Sequence, residues 1–172
     1  MASAAKTEGK GSARRFSELG SSSHHRLVST HRAVGEKPKV KRLDVVGAVI
    51  LRGGRVLCAQ RAHGGPLGGK WEFPGGKVDA GETREAALVR EIVEELDCDV
   101  KVGELVATTV YAYDFAEITL TTYYCDLLGS EPRLLEHANS KWLFPEELQE
   151  LDWAPADIPA VEKIAEQLGP RG

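Results

Sequence analysis

The chain has only three cysteines, Cys58, Cys98 and Cys125, and no two of them stand in a CxxC spacing. A set so scattered and odd in number speaks against a disulfide framework or a thiolate zinc site, and it points to a reducing compartment. No apolar run approaches the roughly 18 residues that cross a bilayer, so neither a spanning segment nor a membrane partner is expected. The first residues lack the apolar h-region of a secretory signal. No internal repeat is found. Basic charge is also scarce where it would matter for nucleic acid. Residues 41–172 hold 14 Lys/Arg against 23 Asp/Glu, a balance of −9, whereas residues 1–40 hold 8 against 3, a balance of +5. An acidic domain makes a poor platform for a duplex, which requires basic surface.

What remains is an ordinary soluble composition, 42% hydrophobic and 28% charged over 172 residues, enough for one domain with a real core plus an extension. The character of the chain changes near residue 40. Residues 1–40, rich in Ser, Gly, Ala and Arg and without apolar periodicity, read as a disordered basic tail. A transit peptide has a similar composition and is the alternative left open. The pair His24-His25 has no partner cluster and reads as solvated. Residues 41–170 are expected to form the folded domain.

Within it, "LDVVGAVILRGGRVLCAQR" shows two β-branched runs flanking Gly53-Gly54 and reads as a hairpin. The Gly/Pro-rich "AHGGPLGGK" is a loop, and "WEFPGGKV" a short strand bent at Pro74-Gly75-Gly76. From Thr83 to Leu96 the period becomes helical, with Thr83 as N-cap and Leu88, Val89, Ile92, Val93 and Leu96 as the apolar stripe. Three further strand-like segments follow: "DVKVGELVATTVYAYDF", "ITLTTYYCDLL" and "SKWLF". "PEELQEL" and "PAVEKIAEQL" are helical, each opened by an early proline.

The helix carries an oddity. Glu91, Glu94 and Glu95 lie at i, i+3 and i+4, a spacing that places their carboxylates on a face separate from the stripe, where like charges repel. No lysine occurs from Thr83 to Leu96 to pair with them, and Arg90 flanks the group rather than neutralising it. A solvated acidic face is the ordinary meaning of such a cluster. Here, however, a Gly-Gly loop approaches it and Glu82 adds a carboxylate at its mouth. Converging hard oxygens suit Mg²⁺ or Mn²⁺, ions that bind substrate phosphates at the same time.

Gly76, five residues, Glu82, seven residues and then "REIVEELDC" resemble the Nudix box, G-x5-E-x7-R-E-U-x-E-E-x-G-U, where U is aliphatic. Gly76, Glu82, Arg90, Glu91, Ile92, Glu94 and Glu95 match. Asp97 replaces the glycine that closes the helix in a left-handed conformation, which Asp tolerates, and Cys98 replaces an aliphatic residue. The strings "AQRA", "WEFPGGK", "SEPRLLEH", "KW" and "WAPADIP" extend the resemblance to MutT-like and cytidine-preferring pyrophosphohydrolases from about Val45 to Gln167.

The resemblance implies an α+β fold, an α/β/α sandwich with a mixed sheet between helices. It implies a Mg²⁺-dependent enzyme (Mn²⁺ substituting) that cleaves nucleoside triphosphates to monophosphate and pyrophosphate. Gly75, Glu91, Glu94, Glu95 and Glu136 would hold metal, and Glu94, Glu95 and Glu136 would carry the catalysis, with Glu95 or Glu136 as the base. Arg61 would contact phosphates, Phe73 would line the base pocket and Asp157 would read the base edge. Each of the last three also has a plainer reading, as surface arginine, core aromatic and helix N-cap.

8-oxo-dGTP leads as substrate, with cytidine triphosphates as the alternative. A non-catalytic nucleotide sensor is disfavoured by the intact box. A dinucleoside polyphosphate or ADP-ribose pyrophosphatase has only Tyr113 to recommend it. A cytoplasmic monomer or homodimer is expected.

Overall fold

The computed structural model describes residues 37–171; the expected tail up to residue 36, with His24-His25, lies outside them. Gly53 and Gly54 take φ of 56° and 72°, the two positive angles that a two-residue hairpin needs to match strand twist. They join β1 (Arg42–Arg52) to β2 (Arg55–Gln60) as an antiparallel pair. The expected bent strand after the glycine loop is in fact two strands with different partners. β3 (Trp71–Glu72) pairs with β2, whereas β4 (Gly75–Lys77) pairs with β1, matching Val46 with Gly76 and Gly47 with Gly75. Pro74 causes the break, because it has no N–H to continue a ladder. Its carbonyl still accepts from Ala48 N at 2.8 Å.

α1 (Arg84–Leu96) follows, capped by Thr83, whose hydroxyl accepts from Ala86 N at 3.1 Å. It ends on Asp97 at φ 48° and ψ 41°, the left-handed conformation anticipated for an Asp in place of glycine. β5 (Asp99–Ala112), β6 (Glu117–Leu128) and β7 (Asn139–Leu143) come next. The segment at Pro145–Glu150 is a 3₁₀ helix, and a short turn at Pro155–Asp157 leads into α2 (Ile158–Leu168). The strands form one mixed sheet in the order β3-β2-β1-β6-β5, with β4 also on β1 and β7 also on β2; β1 and β6 are parallel.

Alternation along β1 builds the sandwich. Val46, Ala48 and Ile50 point to one face and pack with Ala87, Leu88, Ile92 and Leu96 of α1. Val49 points to the other, among Trp71, Phe73, Trp153 and the α2 residues Ala160, Val161 and Ile164. This is the α+β architecture, a mixed sheet between helices, that the resemblance implied. All three cysteines are free and buried. Among the described residues no helix is long and apolar enough to cross a membrane.

One expectation about α1 is corrected. Val89 and Val93, assigned to the stripe, are 38% and 43% exposed, whereas Ala87 is fully buried. At about 100° per residue, the arc from Ala87 to Leu96 contains Glu91 and Glu95. Two of the three glutamates therefore lie on the inward side of the helix rather than on a separate face, and the two valines are turned outward.

Candidate functional site

Glycine makes room for those inward carboxylates. A Cβ at Gly76 would collide with the Glu91 carboxylate, and one at Gly75 with the backbone carbonyl of Val46. The bare edge of β4 thus lets α1 approach with its acids in place. Gly75 N donates to Glu95 Oε2 at 3.1 Å, and the side chains of Glu91 and Glu95 are each only 14% exposed. Glu94, at 55%, stands outside.

Arg90 does more than flank the group. Its guanidinium donates to Glu82, to Glu91 at 2.8 Å, to Glu94 at 3.4 Å and to the Lys77 carbonyl at 3.0 Å. It neutralises the outer part of the cluster, and Glu82 belongs to this clamp; its hydrogen bond from Arg90 holds Glu82 below the usual carboxylate range.

Glu95 is left on the inner side without a cation of its own. Burial raises its pKa to about 7, with Glu72 and Glu136 adding to the rise, and His137 and the Gly75 N–H opposing it. Among the described residues no three His, Cys, Asp or Glu side chains already converge as a metal cage; Arg90 holds Glu91 and Glu94 instead. The donor set nonetheless fits a hard divalent ion. It is all oxygen, and Mg²⁺ keeps several waters and takes substrate phosphates alongside one or two carboxylates.

A cavity of about 410 Å³ opens beside this point, lined by Arg61, Glu72, Phe73, Gly75, Glu95 and Asp157, with Leu67 and Tyr113 among its other walls. Arg61, at the end of β2, donates through Nη1 to Glu72 Oε2 at 2.9 Å. The Phe73 ring belongs to the α2-side core, 4.7 Å from the Trp153 ring, and it also lines the cavity.

Asp157 stands at the N-cap position of α2, but its side chain makes no capping bond. Its Oδ1 accepts from Phe73 N at 3.0 Å. Burial raises its pKa well above the carboxylate range, more than the Phe73 hydrogen bond lowers it. The Tyr113 hydroxyl accepts from Ala156 N at 2.8 Å, bracing the segment that carries Asp157.

The fold therefore brings Arg61, Phe73, Gly75, Glu95 and Asp157 to one cavity. Glu91 and Glu94 lie behind it in the Arg90 clamp. Glu136 is exposed in the loop between β6 and β7, close enough to raise the pKa of Glu95. Two further residues belong here, Glu72 and His137. Glu72 had a signal, a lone carboxylate alternating with Trp71 and Phe73 and so facing away from their core. His137 had none, since its partner Glu72 is 65 positions away.

The description "NUDIX domain" matches residues 41–164. The chain belongs to the Nudix family. It is a Nudix hydrolase, of a family that generally uses divalent metal ions. A Mycobacterium tuberculosis protein, provisionally named 8-oxo-dGTP diphosphatase 2, is 43% identical over 127 residues, covering 72% of this chain and 89% of that one. The Escherichia coli CTP pyrophosphohydrolase is 39% identical over 123 residues, covering 72% and 91%. Among solved structures, the MutT Nudix hydrolase of methicillin-resistant Staphylococcus aureus is 50% identical with a TM-score of 0.64, covering 75% of this chain and 99% of that one.

Proposed function

We propose that this Nudix hydrolase cleaves (deoxy)nucleoside triphosphates to a monophosphate and pyrophosphate, with 8-oxo-dGTP as the preferred substrate. One observation carries the reading: a single cavity runs from a buried carboxylate of near-neutral pKa, Glu95, to a buried acid, Asp157. The likeness to a protein named for 8-oxo-dGTP supports it.

Arg61 keeps guanidinium donors beyond the one given to Glu72, and they suit a phosphate. Glu91, Glu94, Glu95, Glu136 and the Gly75 carbonyl are the oxygens that would hold Mg²⁺, with Mn²⁺ as substitute. When bound, the ion neutralises polyphosphate charge and lowers the pKa of the attacking water. Glu95 or the exposed Glu136 accepts the proton of the attacking water. Phe73 packs on the base.

A neutral Asp157 offers a donor as well as acceptor capacity, as the altered edge of 8-oxoguanine requires. The alternative is a cytidine triphosphate, whose N4 amino group would suit an ionised Asp157. The likeness to a CTP pyrophosphohydrolase favours that reading. We place the enzyme in the cytoplasm, acting on free nucleotides rather than duplex nucleic acid, as a monomer or homodimer.

The test is a panel of normal and oxidised nucleotides assayed for pyrophosphate release with Mg²⁺ and with EDTA. The highest kcat/KM is expected for 8-oxo-dGTP. A preference for CTP or dCTP selects the alternative, and release of phosphate instead of pyrophosphate, or full activity in EDTA, overturns the mechanism.

A further inference from the structure

Glu136 is exposed, yet the chain around it is fixed. Arg133 N donates to the Leu96 carbonyl at 2.7 Å, Leu135 N to the Glu95 carbonyl at 3.0 Å, and Ala138 N to the Gln60 carbonyl at 2.9 Å. Between the last two stands His137, its side chain only 4% exposed. Its Nε2 faces Glu72 Oε1 at 3.0 Å and lies 4.0 Å from Glu95 Oε2. A ring nitrogen that faces a carboxylate oxygen carries the hydrogen, so Nε2 is a donor whether the ring is neutral or charged.

The other nitrogen, Nδ1, is buried and has no partner among the described residues. An unpaired buried polar atom is destabilising, and an apolar side chain of similar size would fill the space without that penalty. Packing therefore does not account for a histidine here; the contacts of Nε2 do. The second oxygen of Glu72 accepts from Arg61 at 2.9 Å, so the contacts run unbroken from the arginine of the cavity to the loop beyond α1.

We propose that His137 is a positioning residue whose Nε2–H bonds Glu72 beside Glu95 and thereby fixes the Glu136 loop against the end of α1. The role rests on the reading of Glu95 and Glu136 as the carboxylates of the reaction. His137 does not line the cavity, so its loss acts on turnover rather than on nucleotide affinity.

The test compares His137→Leu, which keeps volume and removes the donor, with His137→Gln, whose amide retains one. In His137→Leu, kcat is expected to fall by about tenfold or more while KM stays within about threefold. Amide hydrogen exchange at Leu135 and Ala138, measured on the metal-free protein, should accelerate by about tenfold or more. His137→Gln should recover most of both. Should His137→Leu fail to fold, His137→Asn takes its place, since its shorter amide does not reach Glu72.

Unchanged exchange at Leu135, kcat within about twofold of wild type, or a Gln variant no better than Leu overturns the proposal. Glu95→Gln assayed in parallel separates the two levels. Full turnover in that variant defeats the catalytic reading, while exchange at Leu135 still judges the His137 contact.

Discussion

The two ends of the cavity hold acidic groups by opposite means. At the α1 end, Arg90 pairs with Glu82, Glu91 and Glu94, and only Glu95 stands apart, held by the Gly75 N–H with its pKa raised to about 7 by burial. At the α2 end, Asp157 is buried with one backbone N–H, from Phe73, and burial pushes it toward the neutral form. A carboxylate paired with a cation favours its ionised form, whereas an isolated buried acid gives up its charge and becomes a hydrogen-bonding group. Under the proposed function, chemistry belongs to the first end and recognition to the second.

Replacing the inward carboxylate of the first end should have the largest effect. Glu95→Gln keeps the shape and is expected to cut kcat by about 10²–10⁴-fold with the fold retained, measured by steady-state kinetics beside circular dichroism. Near-normal turnover would remove the asymmetry between the two ends. Gly76→Ala should follow. Its methyl group meets the far end of the Glu91 side chain, which must swing out of the Arg90 clamp, so a marked fall in activity with only a small loss of stability is expected from assay and denaturant titration.

At the second end, Asp157→Ala should lower kcat/KM for the preferred base more than for a poor substrate. A fall shared equally by all bases would deny Asp157 any part in recognition. Asp157→Asn sharpens the same point. The folded-state pKa of Asp157 lies above its unfolded value. Its contribution is therefore full below the ordinary carboxylate pKa and declines as pH rises through the folded-state value. The Asn variant should lack that decline, so its Tm relative to wild type should improve with rising pH and its base preference should persist. A Tm difference that does not vary with pH would place an ionised Asp157 in the fold. The smallest effect is expected from deleting residues 1–40, for which kcat/KM and Tm should stay close to the full chain.

The first end was far more legible in the sequence than the second. Helix period, cap, left-handed Asp97 and box spacing are all set within about two dozen residues, where local geometry determines which side chains meet. Even there, the arc of α1 was misjudged. Hydrophobicity alone placed Val89 and Val93 inside, whereas the glycines of β4 allow carboxylates to take inward positions. Asp157 and Phe73 meet across 84 positions, and His137 and Glu72 across 65. Such contacts arise from sheet order, which no periodicity records. Pro74 was read as a bend, but which partner each side of it would pair with depended on the same order.

The short segment after β3 links the two ends. Phe73 N is bonded to Asp157, Pro74 O to Ala48 and Gly75 N to Glu95. Under the proposed function, the covalent path between the residue that would lie beneath the base and the one that would lie beside the phosphates is thus three residues long and pinned at each of them. A segment that short and that constrained acts as a gauge. A base that seats too high or too low would carry its phosphates out of line with Glu95, and the nucleotide would be held without being cut. Selectivity in such an enzyme is expressed in the rate of cleavage as well as in the strength of binding, and a tight-binding nucleotide of the wrong shape would act as its inhibitor.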